Sequence, residues 1–253
     1  MINHPNRNKA DKSAVINISI ARKVLEVVDA GLINGVGEPV PGQMCVEAAV
    51  CYALGLPHGD DPACVSRALR LLKIRLNDSQ WSSSDARAKG LRRLAVAQLG
   101  SRDVLDDREF VKRVATLTIR LSVPVALRAA ASVHENPKHQ EALREAANKC
   151  EREPTPESAR EARLVAQEAQ KAAATTAAAR AAAAAGAAAA YTAAYATMGA
   201  AAAYTAPYTY TTTYASADAR DKLLADFAEG VVQILIEMNA PGCEWLPLTE
   251  IAS

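Results

Sequence analysis

Residues 172–206 read AAATTAAARAAAAAGAAAAYTAAYATMGAAAAYTA, and no other stretch of the 253-residue chain is so biased in composition. Alanine has the highest helix propensity because its side chain loses no rotational freedom in a helix. The tract therefore predicts one long helix, or two helices that meet near Gly186 and Gly199. Its methyl groups allow neighbouring helices to approach closely, and Arg180 is its one charged side chain. The tract is thus suited to packing and carries little equipment for chemistry.

The rest of the chain shows the apolar spacing of amphipathic helices. Val65, Leu69 and Leu72, for example, recur at intervals of four and three residues, as expected for one face of a helix. Capping residues mark where helices begin, such as Asp61 before Pro62. We predict helices at residues 14–30, 44–54, 62–76, 84–100, 106–133 with a kink or restart at Pro124, 137–150, from 156 into the alanine tract, and 217–239.

Two short segments carry a pattern typical of strands. Residues 117–123 alternate apolar and polar side chains, and residues 208–214 read YTYTTTY, a composition of high strand propensity. Neither segment has a visible partner strand nearby. We therefore interpret the first as helix and the second as a linker or a short extended piece.

Together these patterns predict an all-α fold, a bundle-like arrangement of several helices packed around a long alanine-rich helix. Each amphipathic helix must bury its apolar face against another element. The predicted organisation is a disordered arm at residues 1–12, a helical layer at residues 13–150, and the alanine-rich and C-terminal helices at residues 151–253. We expect the last two parts to pack as one domain.

The net charge of +1 hides an uneven distribution. Residues 62–100 contain eight basic and two acidic residues, a local net charge of +6, whereas residues 216–253 contain two basic and seven acidic residues, a local net charge of −5. The two regions are expected to attract each other or to attract separate partners.

The sequence predicts a cytoplasmic protein that does not enter a membrane. Residues 1–12 are polar and lack the apolar run of a signal peptide, and the alanine tract is too weakly hydrophobic to hold a helix in lipid. The five cysteines are an odd number, which favours reduced, buried thiols over a disulfide framework.

Cys45 is the most enzyme-like residue of the sequence. It follows Pro41, Gly42 and Gln43 at the predicted start of a helix, where the helix dipole lowers a thiol pKa and favours the nucleophilic thiolate. A cysteine nucleophile also needs a histidine base, and His58 is the first histidine downstream. A cysteine-dependent enzyme that uses Cys45 and His58 is therefore one alternative, although no cysteine-hydrolase motif has this order and spacing.

We expect no metal ion and no cofactor. The atoms that zinc prefers occur in Cys45, Cys51, His58 and Cys64. None of these residues forms a closely spaced C-x2-C pair, so buried helix cysteines are the simpler interpretation. The chain also lacks the G-x-x-x-x-G-K-[ST], G-x-G-x-x-G and H-E-x-x-H motifs.

The basic helices predicted within residues 62–100 suggest a second alternative, a nucleic-acid-binding protein. The phosphate contacts would come from Arg67, Arg70, Arg75, Arg92 and Arg93. The competing interpretation is a basic surface that pairs with the acidic C-terminal helix.

The function that the sequence favours is a non-enzymatic, cytoplasmic, protein-binding or self-assembling helical module. Tyrosine is enriched at protein interfaces. The predicted contact residues are Tyr191, Tyr195, Tyr204, Tyr208, Tyr210 and Tyr214. The tract is similar to alanine-rich helices of many bacterial proteins, including some immunity-type proteins, and this likeness covers low-complexity residues alone. The expected partner is another protein or a second copy of the chain, with nucleic acid as the alternative.

Overall fold

The computed structural model describes residues 16–198 and 217–250, and for residues 191–198 it describes the helical backbone alone. These described residues form nine α-helices and one 3-10 helix without a β-strand, so the predicted all-α fold is confirmed. The α-helices are α1 (Ile18–Asp29), α2 (Val46–Ala53), α3 (Arg67–Asn77), α4 (Ser84–Ala97), α5 (Asp107–Val133), α6 (Pro137–Arg152), α7 (Pro156–Ala172), α8 (Thr176–Met198) and α9 (Ala217–Glu237), and the 3-10 helix is Pro241–Thr249.

The first hydrophobic cluster combines both ends of the described chain. Helices α1 to α4 and the beginning of α5 supply most of it, and α9 returns to cover them with residues such as Phe227 and Val231. Gly230 lets α9 approach α5 closely, since a Cβ atom there would lie 2.7 Å from the Leu117 side chain. The C-terminal helix is therefore an integral part of this core.

The second hydrophobic cluster is a bundle formed by the rest of α5 with α6, α7 and α8. Its buried residues are mostly alanine, with a few larger side chains such as Ile119, Leu127 and Leu143. Ala166 of α7 faces Gly186 of α8, where a Cβ would lie 3.5 Å from the alanine methyl, so the two helices are in close contact. The alanine tract thus packs through its small side chains.

Helix α5 joins the two clusters. Phe110 and Val114 belong to the first cluster, whereas Ile119 and Leu127 belong to the second. The predicted division of the chain at residue 150, between the helical layer and the later helices, stays a prediction. The buried side chains of the described residues change cluster within α5.

Two helices begin later than predicted because different side chains cap them. Asn17 caps α1 by accepting hydrogen bonds from the backbone N–H groups of Ser19 and Ile20 at 3.0 and 3.1 Å. Ser66 caps α3, not Asp61, and its hydroxyl accepts a hydrogen bond from the N–H of Leu69 at 3.2 Å. The predicted starts at residues 14 and 62 were therefore wrong.

The long helix predicted to run from residue 156 into the alanine tract is in fact two helices. Ala173 ends α7 in an extended conformation, and the Thr175 hydroxyl accepts a hydrogen bond from the N–H of Ala178 at the start of α8. By contrast, residues 117–123 are helical as predicted, and α5 continues through Pro124 without ending. The predicted linker at residues 208–214 lies outside the described residues.

Candidate functional site

Cys45 lies at the N-cap of α2, where the sequence placed it. Its Sγ accepts a hydrogen bond from the backbone N–H of Ala48 at 3.4 Å. The thiol is 4% exposed, and burial raises its pKa more than the neighbouring backbone N–H groups lower it. The protonated thiol is therefore favoured at neutral pH, which is unfavourable for a nucleophile.

His58 is exposed, and its side chain contacts a neighbouring loop. Its ring Nε2 lies 2.7 Å from the carbonyl oxygen of Gly37. Gly37 has a φ of +69°, and a Cβ there would lie 2.1 Å from the Gln43 carbonyl oxygen, so this tight loop requires glycine. Within residues 16–198 and 217–250, no hydrogen bond joins His58 to Cys45. The structure places the two candidate catalytic residues in separate interactions.

A buried ion pair lies behind Cys45 and was missed by the sequence analysis. Glu47 of α2 and Lys73 of α3 are both 0% exposed, and Nζ of Lys73 is 3.4 Å from Oε1 of Glu47. Burial raises the pKa of Glu47 to about 7 against the opposing charge of Lys73. Burial likewise lowers the pKa of Lys73, although Glu47 opposes that shift. Apart from each other, the Glu47 carboxylate and the Lys73 nitrogen have no hydrogen-bond partner among the described residues.

The sequence did contain a signal for this pair. Glu47 is the one charged residue of an otherwise apolar helix, and Lys73 falls on the same face of α3 as Leu69 and Leu76. A charged residue at a core position of a helix indicates a buried partner. Which residue is that partner depends on how α2 and α3 pack, and helix spacing alone does not determine it.

Asn77 at the end of α3 links the neighbouring segments of the chain through hydrogen bonds. Its Oδ1 accepts a hydrogen bond from the N–H of Val46 at 3.2 Å, and its Nδ2 donates to the carbonyl oxygen of Ile33 at 2.8 Å. Nδ2 also donates to Oδ1 of Asp78, which accepts from the N–H of Gly35 as well. All the polar atoms of this buried amide are therefore used.

A cavity of about 100 Å³ lies between the loop before α2 and the end of α3. Its walls include Gly35 and Val36 together with polar residues from three segments. These polar residues are Cys45, Glu47, Asp60, Asn77 and Asp78.

The remaining cysteines are free thiols, and they are not arranged as metal ligands. Burial raises the pKa of Cys51 to about 12 and also raises the pKa of Cys64. Among the described residues, no group of three or more histidine, cysteine, aspartate or glutamate side chains is placed to hold a metal ion.

Three of the five candidate phosphate-binding arginines are engaged within the protein. Arg70 pairs with Asp60 at 2.8 Å, Arg92 pairs with Asp29 at 2.6 Å, and Arg93 pairs with Glu229 at 2.9 Å. Arg93 also approaches Glu250, and both of its acidic partners belong to the C-terminal region. Attraction between the basic and acidic regions therefore occurs inside the molecule. The other two candidates, Arg67 and Arg75, are exposed and make no ion pair with a described residue.

The tyrosines proposed as contacts fall where side chains are not described. Tyr191 and Tyr195 lie in the last turns of α8, of which the structure describes the backbone alone. The other four, Tyr204, Tyr208, Tyr210 and Tyr214, lie outside the described residues.

A groove of about 450 Å³ runs between α6 and α7 on the surface of the alanine-rich bundle. Small apolar side chains line it, namely Ala142, Ala146, Ala162 and Val165. Ala146 and Val165 are only partly buried. Charged residues form the rim, where Lys149 of α6 pairs with Glu161 of α7. The sequence analysis did not identify this surface.

One helix within the described part of the chain is long and apolar enough to cross a membrane, judged by its length and composition. This helix is α5, and 67% of its most apolar window is buried inside the protein.

No protein-family model, curated protein sequence or solved structure matches this chain.

Proposed function

We propose that the chain is a non-enzymatic helical module that binds another protein or a second copy of itself, and that the groove between α6 and α7 is the binding surface. The observation that carries this proposal is the combination of a partly exposed, small-residue floor and a charged rim. Protein interfaces commonly have this composition, with apolar residues at the centre and polar residues at the edge.

The packing of the bundle itself supports a helical partner. Where α7 meets α8, small residues such as Ala166 and Gly186 allow the two helices to come into close contact. The groove presents similar small side chains, Ala142 and Ala146 of α6, to a space large enough for several side chains. A helix from a partner can use these alanines as α8 uses those of α7. Leu164 of α7 is 60% exposed and adds apolar surface to the same helix.

The other two functions have less support from the geometry. Most of the candidate arginines are paired within the protein, and the Cys45 thiol is buried with a raised pKa and has no histidine partner among the described residues. Protein binding is therefore the function that we retain.

Light scattering coupled to size-exclusion chromatography tests the self-assembling form of the proposal. The wild-type chain is expected to elute as a discrete oligomer heavier than its monomer mass of 26.7 kDa. Ala146→Arg places a long charged side chain in the groove and should shift the population to monomer. Ala172→Arg is the matched control, because Ala172 is exposed at the end of α7 and does not line the groove.

The same chromatogram separates the competing functions. A wild-type monomer at every concentration would contradict self-assembly. A high ratio of absorbance at 260 nm to that at 280 nm would indicate bound nucleic acid and would favour the basic helices instead. If neither Ala146→Arg nor Ala172→Arg shifts the oligomer to monomer, the assignment of the interface to this groove is contradicted.

A further inference from the structure

Helix α6, which forms one wall of the α6–α7 groove, carries acidic and basic side chains, and several of them pair within the protein. The ion pairs that involve α6 are Glu141–Arg144, Arg128–Glu151 and Lys149–Glu161. Glu145 and Arg152 are exposed, line the groove and make no ion pair with a described residue. The groove wall therefore presents one acidic and one basic side chain that are available to a partner.

Glu145 and Arg152 lie on one face of α6, two turns apart. Seven residues of an α-helix rotate through about 700°, which is roughly 20° short of two full turns, and rise by about 10.5 Å. Ala142 and Ala146, on the same wall, are half-buried, so no long side chain fills the groove beside Glu145. This face thus has an acidic position, a basic position and small residues next to the acidic one.

A partner that complements this face must bring a basic group to Glu145 and an acidic group to Arg152, about 10.5 Å further along. A helix that runs antiparallel to α6 and carries the same two charges at the same separation meets both conditions. Helix α6 of a second copy is such a helix, because a two-fold axis between these positions exchanges the acidic and basic ends. Two-fold symmetric dimers are the commonest homo-oligomers.

We propose that the occupant of the α6–α7 groove is a second copy of the chain, whose α6 lies antiparallel to the first and brings the partner's Arg152 to Glu145. This inference rests on the proposed function, since it names the partner for the same groove. Symmetry produces two such ion pairs in each dimer. The methylene groups of the arginine side chain lie over the small Ala146, which leaves room for them. Lys149, close to the two-fold axis, is neutralised by Glu161 of its own chain.

Charge reversal at these two positions tests the pairing. Glu145→Arg alone and Arg152→Glu alone each replace both ion pairs by contacts between like charges, and should raise the Kd of the dimer at least about tenfold. An equimolar mixture of the two variants should recover the dimer, because two basic side chains of one chain then face two acidic side chains of the other. The double variant Glu145→Arg/Arg152→Glu should also recover it, since its charges are again self-complementary.

Light scattering coupled to size-exclusion chromatography measures these masses at a concentration at which the wild-type chain is dimeric. Urea unfolding of each variant shows that it is folded. Glu168→Arg is the matched control, because Glu168 is exposed on α7, does not line the groove and undergoes the same change of charge. This control should leave the dimer unchanged.

Single variants that dimerise like the wild type, or a mixture that stays monomeric, would overturn the antiparallel pairing. If Ala146→Arg still gave monomer in that case, the groove would remain the binding surface and this inference alone would fail. A wild-type chain that is monomeric at every concentration would overturn the inference as well. Cross-linking from position 146 to a different protein in cells would then leave the proposed function standing.

Discussion

Glu47 and Lys73 show how much the surroundings of a single residue change its chemistry. Both side chains are 0% exposed. Burial raises the pKa of Glu47 and lowers the pKa of Lys73, and each of these shifts favours the uncharged form. A buried ion pair often contributes little net stability, because the cost of removing two charges from water offsets their attraction. The contribution of this pair to stability is therefore best measured as a function of pH.

Replacement of Glu47 should change how stability depends on pH. In the folded protein the pKa of Glu47 is about 7, above its ordinary value of 4.5, so the folded state holds a proton that the unfolded state releases between these values. Glu47 therefore stabilises the protein fully below pH 4.5, and this stabilisation is lost as the pH rises to 7. The loss is about 3 kcal/mol, following the size of the shift.

Urea unfolding of the wild-type chain and of Glu47→Gln from pH 4.5 to 7.5 measures this loss. The wild-type free energy of unfolding should fall relative to that of Glu47→Gln as the pH rises. Glu26→Gln, which removes an exposed carboxylate from α1, should run parallel to the wild type. A constant difference between the wild type and Glu47→Gln across this range would show that the Glu47 pKa is not raised.

At the scale of the elements, α8 depends on small side chains for its contacts. Ala181, Ala185 and Ala188 are 0–2% exposed and pack in the bundle formed with α5 and α7. Because alanine leaves no spare volume between closely packed helices, a larger residue has to displace a neighbouring backbone. The helix is therefore expected to be intolerant of larger residues on its buried side.

Ala185→Leu should destabilise the protein by about 1–3 kcal/mol, the usual cost of overpacking a core. Ala177→Leu provides the control, since Ala177 is exposed on the same helix and leucine is nearly as good a helix former as alanine. Its free energy of unfolding should stay within about 0.5 kcal/mol of the wild type. Equal effects of the two substitutions in chemical denaturation would mean that α8 does not pack through this face.

The arginines of α3 and α4 divide into those that hold helices together and those that face solvent. Arg93→Ala removes ion pairs to Glu229 of α9 and to Glu250, both partly exposed, and should lower the free energy of unfolding by up to about 1 kcal/mol. Arg75→Ala should have little effect, because Arg75 is exposed and makes no ion pair with a described residue. If the purified protein bound DNA in a salt-dependent manner and Arg75→Ala abolished that binding, nucleic-acid binding would replace protein binding as the proposed function.

At the scale of the whole molecule, α5 is the element that both clusters share. The first cluster contains residues from both ends of the described chain, and the alanine-rich bundle lies between them in sequence. Helix α5 therefore joins the bundle, with its groove between α6 and α7, to the first cluster. This arrangement suits a binding module whose contact surface differs from its folding core.

The sequence was informative where local interactions decide the structure. Alanine propensity and apolar spacing predicted the all-α fold, and α6 and α7 begin at the predicted residues 137 and 156, where Asn136 and Thr155 cap them. Capping failed as a guide at Asp61, because nearby Ser66 competes for the same role. The Glu47–Lys73 pair and the α6–α7 groove depend on how separate helices are oriented. Propensity and spacing within one helix contain no information on that orientation.

Photo-cross-linking from the groove is the measurement on which the proposed protein-binding function depends. A benzophenone amino acid is placed at position 146 in the groove, or at the exposed position 172 as control, and the cells that make the protein are irradiated. We predict a discrete covalent adduct from position 146 and none from position 172. An adduct of twice the monomer mass would identify a second copy as the partner. The absence of an adduct from position 146, or equal adducts from both positions, would contradict the assignment of this groove as a protein-binding surface.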